Sequence, residues 1–154
     1  MPEYFFDSSA LVKLYHPEPG TPVVDQIVNL GGNLIRISRL TPAELTSAFA
    51  IKVRTESISR QDAAVFLNQF RRDIANGKLE VFSVAESEFA MAEVLLDRYA
   101  FDFRLRALDA IQLAVALELR NQKLVDHFAA ADKILCEVAT LEAFSVINPE
   151  NFLT

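Results

Sequence analysis

Cysteine is almost absent from this chain, and so is everything that would build a thiolate metal site. The single cysteine, Cys136, excludes an internal disulfide, and packing is its expected role. The two histidines, His16 and His127, have no zinc-type spacing to each other or to Cys136. No apolar run approaches the roughly 20 residues that span a bilayer. Glu3 and Asp7 interrupt the apolar N-terminal stretch, so it does not read as a secretory signal, and a cytoplasmic protein is the expectation. There is no Walker-type glycine loop, which argues against ATP or GTP hydrolysis. Repeats, linkers and low-complexity segments are missing too. Positive charge is in deficit, with 15 Lys and Arg against 21 Asp and Glu, a net charge of −6. A simple electrostatic nucleic-acid binder would be basic. The deficit therefore weighs against one, unless acids gather around a cation that reverses the local field.

What is present is apolar residue in quantity: 51% of 154 residues, enough for a single domain, residues 1–154, around one core. The stretch Tyr4-Phe5-Phe6-Asp7-Ser8-Ser9-Ala10-Leu11-Val12-Lys13-Leu14-Tyr15 organises the rest. Its aromatic run reads as a strand buried on both faces, as in a parallel sheet. It stops abruptly on Asp7, and a helix follows. Pro17-Glu18-Pro19-Gly20 ends that helix, and Thr21 is placed to cap the next. Residues 34–38 read as a strand. Thr41-Pro42-Ala43-Glu44 reads as a helix start, with Thr41 at the cap. Ser59 caps a helix with Ala63, Phe66, Leu67, Phe70 and Ile74 at helical spacing. Residues 79–84 form a strand, and Phe89, Ala92, Leu95, Leu96 and Tyr99 mark another helix. An irregular connection, 101–106, leads to a helix over 107–119 that is apolar nearly all round and so buried. A strand over 128–131 leads to Asp132 and a helix, and 145–147 is the last strand. Strands alternating with helices predict an α/β sandwich with a mainly parallel sheet.

Four acids fall at similar places in this scheme. Asp7 and Asp132 end strands; Glu44 and Asp109 lie in first turns of helices. In a right-handed βαβ fold these places share one edge, the carboxyl end of the sheet, where such folds bind ligands. Each acid taken singly has a structural explanation, because helix N-termini favour carboxylates by roughly 0.3–1 kcal/mol. That does not explain the gathering. Two carboxylates ~5 Å apart repel by about 3 kcal/mol at an effective dielectric near 20. A cluster of this kind persists where something cationic neutralises it, and an all-oxygen donor set suits Mg²⁺ or Mn²⁺. Such ions are the usual equipment of phosphoryl chemistry.

These motifs, with Leu108-Asp109-Ala110-Ile111-Gln112-Leu113-Ala114 and Ala131-Asp132-Lys133-Ile134-Leu135, stand in the order and spacing of PIN domains. The resemblance covers essentially the whole chain and is nearest to VapC-type toxins, the ribonuclease halves of toxin–antitoxin pairs. It implies a PIN-like three-layer α/β/α sandwich and a Mg²⁺- or Mn²⁺-dependent endoribonuclease. It carries the family's acids over to Asp7, Glu44, Asp109 and Asp132, and matches Ser9 to the small hydroxyl residue that supports the metal site. It also implies a homodimer and an antitoxin whose peptide covers the acidic groove. One departure stands out: Ala130 occupies a position where many members carry threonine, so a hydroxyl beside Asp132 is missing. Asp126 is a nearby substitute acid, although a solvated loop acid describes it better.

RNA also needs cations near the chemistry, whatever the net charge. Arg104 and Arg106 precede Asp109, and Arg39 precedes the Glu44 helix, so these three are the phosphate-contact candidates. The competing account pairs them with neighbouring acids such as Asp102. Lys13 is expected to be solvated, His16 exposed, and Gln112 hydrogen-bonded locally along its helix. Two further functions compete. One is a PIN fold without catalysis, serving as a binding module, against which all four acids are retained. The other is a different Mg²⁺-dependent acid-site phosphohydrolase. A haloacid-dehalogenase-type phosphatase would need Asp-x-Asp where this chain has Asp7-Ser8-Ser9.

Overall fold

A computed structural model describes residues 1–152. Five strands form one sheet: β1 (Glu3–Phe6), β2 (Leu34–Ser38), β3 (Leu79–Phe82), β4 (His127–Ala129) and β5 (Ser145–Ile147). Every pairing is parallel, in the order β3-β2-β1-β4-β5. The aromatic run is thus the central strand. Its alternation feeds both faces, since successive side chains of a strand point opposite ways. Phe5 enters one core, with its ring stacked on Phe128 at 5.6 Å, and Phe6 enters the other. Neither has any exposed surface. Full burial of such a side chain is worth roughly 1.5–3 kcal/mol.

The helices divide between the two faces as connection handedness demands. The chain starts at the centre of the sheet and moves outward to β3, then returns to β4 on the other side of β1. Right-handed crossovers place the helices of the two journeys on opposite faces. Accordingly α1 (Ser8–Tyr15), α2 (Thr21–Asn29), α3 (Thr41–Arg54) and α4 (Arg60–Ala75) pack with Phe6, Ile35 and Ile37. On the other face, α5 (Glu86–Tyr99), α6 (Ala107–Asn121) and α7 (Lys133–Leu141) pack with Phe5 and Phe128. The reversal lies between β1 and β4, and a crevice opens at the carboxyl ends of strands at such a switch point. No described helix is long and apolar enough to cross a membrane.

Two helix starts differ from expectation. The left-handed Gly20 (φ 95°), not Thr21, precedes α2. A Cβ on Gly20 would meet Pro149 at 3.0 Å and Lys13 at 3.1 Å, so the position needs glycine for space as well as φ. The Thr21 hydroxyl instead donates to the Lys13 carbonyl and accepts from Glu18 N–H. Similarly α3 begins at Thr41 after Leu40, because the Thr41 hydroxyl is turned inward, where Gln112 Nε2 donates to it.

Candidate active site

All four sequence-selected acids lie where an element begins at the carboxyl edge of the sheet. Asp7 caps α1: its Oδ1 accepts from Ala10 N–H at 3.2 Å and from the Ser9 hydroxyl at 2.6 Å. Asp132 caps α7, its Oδ1 accepting from Leu135 N–H at 2.9 Å. In the first turn of α6, Asp109 Oδ2 accepts a longer bond from Arg106 N–H, 3.4 Å. In the first turn of α3, Glu44 Oε1 accepts from Ser8 Oγ at 2.8 Å and from Gln112 Nε2 at 2.6 Å.

Each acid therefore uses one oxygen for structure and leaves the other free of hydrogen bonds, although that of Asp132 lies 4.0 Å from Arg106 Nη2. Among the described residues Asp7 Oδ2, Glu44 Oε2, Asp109 Oδ1 and Asp132 Oδ2 accept no hydrogen bond. None of them is sealed from solvent either, since among the described residues the one buried side-chain atom without a hydrogen bond is His16 Nδ1. Capping and ligand binding are compatible roles for the same side chains.

The four carboxylates share one electrostatic field. Burial pushes Asp7 up to about 7; the bonds from Ser9 and Ala10 oppose this, and the charges of Glu44 and Asp109 add to it. Burial also raises Asp109; the Arg106 guanidinium opposes that rise and Asp132 adds to it. Cys136, behind the cluster, is pushed up to about 12 by burial and then by Asp7 and Asp132, so its thiol is inert at neutral pH. The field is shared without forming a closed cage. No three His, Cys, Asp or Glu side chains among the described residues converge closely enough to enclose an ion. The donor chemistry nevertheless fits a hard divalent cation: free carboxylate oxygens, no thiolate, and two acids, Asp7 and Asp109, destabilised as anions by burial.

Supporting residues tie the elements together. Ser9 donates to Asp7 and accepts from Ala131 N–H at 2.9 Å, bridging the ends of β1 and β4. Ala130, where threonine was the family's expectation, is fully buried, and its carbonyl accepts from the Cys136 thiol. Beside the acids a cleft of about 750 Å³ opens, lined by Ser8, Ser9, Glu44, Arg106 and Asp109 and walled by Leu40, Ala43, Ile51 and Leu108. A second groove of about 420 Å³ lies between α3 and α4. It holds Phe49, Val53 and Leu67 with Arg54, Arg60 and Arg71, and no acid.

The candidate cations differ from one another. Arg106 does pair with acids, but not with Asp102: its Nε lies 3.4 Å from Asp109 and its Nη2 4.0 Å from Asp132, with 73% of the side chain exposed. Arg104 and Arg39 are exposed and form no side-chain hydrogen bond or ion pair among the described residues. Lys13, expected in solvent, is buried, with Nζ 2.9 Å from Glu18 and 3.5 Å from Glu150. Its neighbour His16 is half-buried against the Phe66 ring rather than exposed. Asp126 caps the opposite edge of the sheet, accepting from Glu3 N–H, and cannot replace Asp132.

Gln112 is the residue that sequence reasoning passed over. Its bonds are not local: the side chain contacts Ser8, Ser38, Thr41 and Glu44, from the ends of β2 and the starts of α1 and α3. The available signal was a lone polar residue in the apolar run 110–117.

Comparison with known proteins agrees with this fold. The model of the family described as "PIN domain" matches residues 4–147. No curated protein matches the chain by sequence. Among solved structures, FitAcB from Neisseria gonorrhoeae superposes with a TM-score of 0.65 at 17% identity, covering 95% of this chain and 97% of that one. A toxin–antitoxin complex from Klebsiella pneumoniae gives 0.60 at 15% identity over 95% and 97%. VapBC2 from Rickettsia felis, bound to a DNA fragment from its promoter, gives 0.57 at 14% identity over 95% and 98%. At these identities the likeness is one of fold.

Proposed function

With residues 4–147 matching its model, the chain belongs to the PIN-domain family, and on that premise we propose that it is a metal-dependent endoribonuclease, the toxin component of a VapBC-type toxin–antitoxin pair. The observation that carries this reading is the set of four coupled acids at one edge of the sheet: Glu44 and Asp109 line the cleft, their charges act on Asp7 and that of Asp132 on Asp109, and Asp7 Oδ2, Glu44 Oε2 and Asp109 Oδ1 accept no hydrogen bond. These four would hold Mg²⁺ or Mn²⁺, with Ser9 fixing Asp7 in place. An ion held by these residues would supply an activated water and would offset charge that accumulates on the phosphate.

The chain's own residues do the rest. Burial disfavours the ionised form of Asp7, and a cation beside it would favour that form. The apolar wall of Leu40, Ala43, Ile51 and Leu108 accepts an unstacked base while the phosphate faces the acids. Arg39, Arg104 and Arg106 contact the RNA backbone. The partners are a second copy of the chain and an antitoxin. In its support, structures of this fold include toxin–antitoxin complexes. The apolar groove between α3 and α4, with Arg54, Arg60 and Arg71 in an otherwise acidic protein, suits an apolar antitoxin segment that carries acids.

Asp7→Asn keeps shape and hydrogen bonds while removing a charge, and Asp109→Asn does the same. Each should lower Mn²⁺-dependent cleavage of RNA by at least a hundredfold with the fold intact by circular dichroism. Wild-type cleavage by purified Asp7→Asn protein would reject the reading.

A further inference from the structure

We infer that Gln112 is a positioning residue for Glu44: anchored by Ser38, its amide holds Glu44 Oε1 so that Oε2 faces the acidic cleft. The inference rests on the proposed metal site. Gln112 is 1% exposed and sits in the middle of α6, whose other inward residues are apolar. Its Oε1 accepts from Ser38 Oγ at 3.0 Å. Its Nε2 donates to Glu44 Oε1 at 2.6 Å, and to Thr41 Oγ1 and Ser8 Oγ at 3.1 and 3.3 Å.

The orientation of the amide follows from charge. Turned over, it would set its oxygen against the Glu44 carboxylate and its NH₂ against the Ser38 hydroxyl. Ser38 fixes it further, because Ser38 Oγ accepts from Leu40 N–H at 3.2 Å and so keeps its own proton for Gln112. Ser8 donates to the same Glu44 oxygen as Gln112 does. Two donors on Oε1 fix the plane of the carboxylate and leave Oε2 for the cleft. A buried amide of this kind orients a ligand in the way that outer partners of metal-site side chains do. If it only joined α6 to α1 and α3, neither the single direction of the donors nor their convergence on one oxygen would be needed.

The test is Mn²⁺ affinity of the purified protein, by titration calorimetry, with melting temperature measured alongside in EDTA. Gln112→Met keeps length and removes the amide. It should weaken Mn²⁺ binding about ten- to a hundredfold. In a Glu44→Gln background, where the carboxylate to be oriented is gone, the same change should have less than a threefold effect. Ser38→Ala retains Gln112 and releases its anchor. It should weaken binding in the same direction by less, and it serves the test if Gln112→Met does not fold. A lower melting temperature with unchanged Mn²⁺ affinity makes Gln112 structural and overturns the inference, as does an equal loss in both backgrounds. If wild-type protein binds no Mn²⁺, the metal site and this inference fall together. If Asp7→Asn abolishes binding and the Gln112 and Ser38 variants do not alter it, the site stands and the inference alone fails.

Discussion

Asp7 shows how one side chain can cap a helix and still be a candidate ligand. Its cap bond to Ala10 and its bond from Ser9 stabilise the start of α1, yet its charge is unwelcome in the crowded end of the sheet. The folded protein holds the Asp7 proton up to about pH 7, whereas the unfolded chain releases it near 3.8. Between those values the folded state binds more protons, so Asp7 makes stability fall as pH rises through this window. Asn at the same place accepts the same bonds and never ionises. In EDTA, Asp7→Asn should therefore melt above wild type at pH 7.5, by an amount on the order of a few kcal/mol in stability, and the gap should close by pH 4. Thermal melts across that range check it, and an equal or lower melting temperature at pH 7.5 contradicts it. The acids were legible in sequence because charges ending apolar runs are conspicuous. Gln112 was not, because its partners stand 68 to 104 positions away. Lys13 escaped for the same kind of reason: Glu150, one of its two carboxylates, reaches it only through the packing of the C-terminal 3₁₀ helix, Pro149–Phe152, against Gly20.

At the scale of elements, pattern located every strand and α-helix among the described residues but not the C-terminal 3₁₀ helix, and neighbours decided where each stopped. The strand expected over 79–84 ends at Phe82 because its ladder partner β2 ends at Ser38, which pairs with Phe82. The strand expected over 128–131 ends at Ala129, opposite Phe6, the last residue of β1. Partner length is not visible within a single segment. The connection between α5 and α6 carries two arginines just before Asp109. Arg104 is unpaired among the described residues, while Arg106 reaches two of the acids. Their substitutions should separate accordingly. Arg104→Ala should weaken RNA binding across sequences and flatten its salt dependence by about one phosphate contact, leaving Mn²⁺ affinity unchanged. Arg106→Ala should flatten it similarly but tighten Mn²⁺ binding a few-fold, because it removes a cation that competes for Asp109 and Asp132. RNA affinity at several salt concentrations in the Asp7→Asn background, with Mn²⁺ titration of each arginine variant in otherwise wild-type protein, measures both. An unchanged salt slope in the double variant would return the arginines to a structural role.

The whole molecule has a weakly defended side. The sheet ends at β3, a four-residue edge strand, and the two helices that flank it in the chain cover opposite faces of the sheet. Short edge strands are one way to avoid uncontrolled pairing. The flanking helices, however, leave apolar side chains in solvent: Val65 on α4 is 60% exposed, and on α5 Phe89 is 49%, Met91 39% and Val94 46% exposed. Single exposed apolar residues are ordinary; the three on α5, Phe89, Met91 and Val94, make that helix the candidate surface for the proposed second copy. A symmetric contact lets one patch cover its own copy, and burying about 1,200–2,000 Å² in total is enough for a stable pair. Two copies at net charge −6 each repel, which favours an apolar over an acidic contact. Light scattering at micromolar concentration should therefore give twice the chain mass of 17.2 kDa. Phe89→Glu combined with Val94→Glu should return the monomer mass without changing the circular dichroism spectrum, because neither side chain belongs to the buried core. A wild-type monomer would reject the dimer. A dimer unaffected by the double substitution would place the contact elsewhere on the molecule.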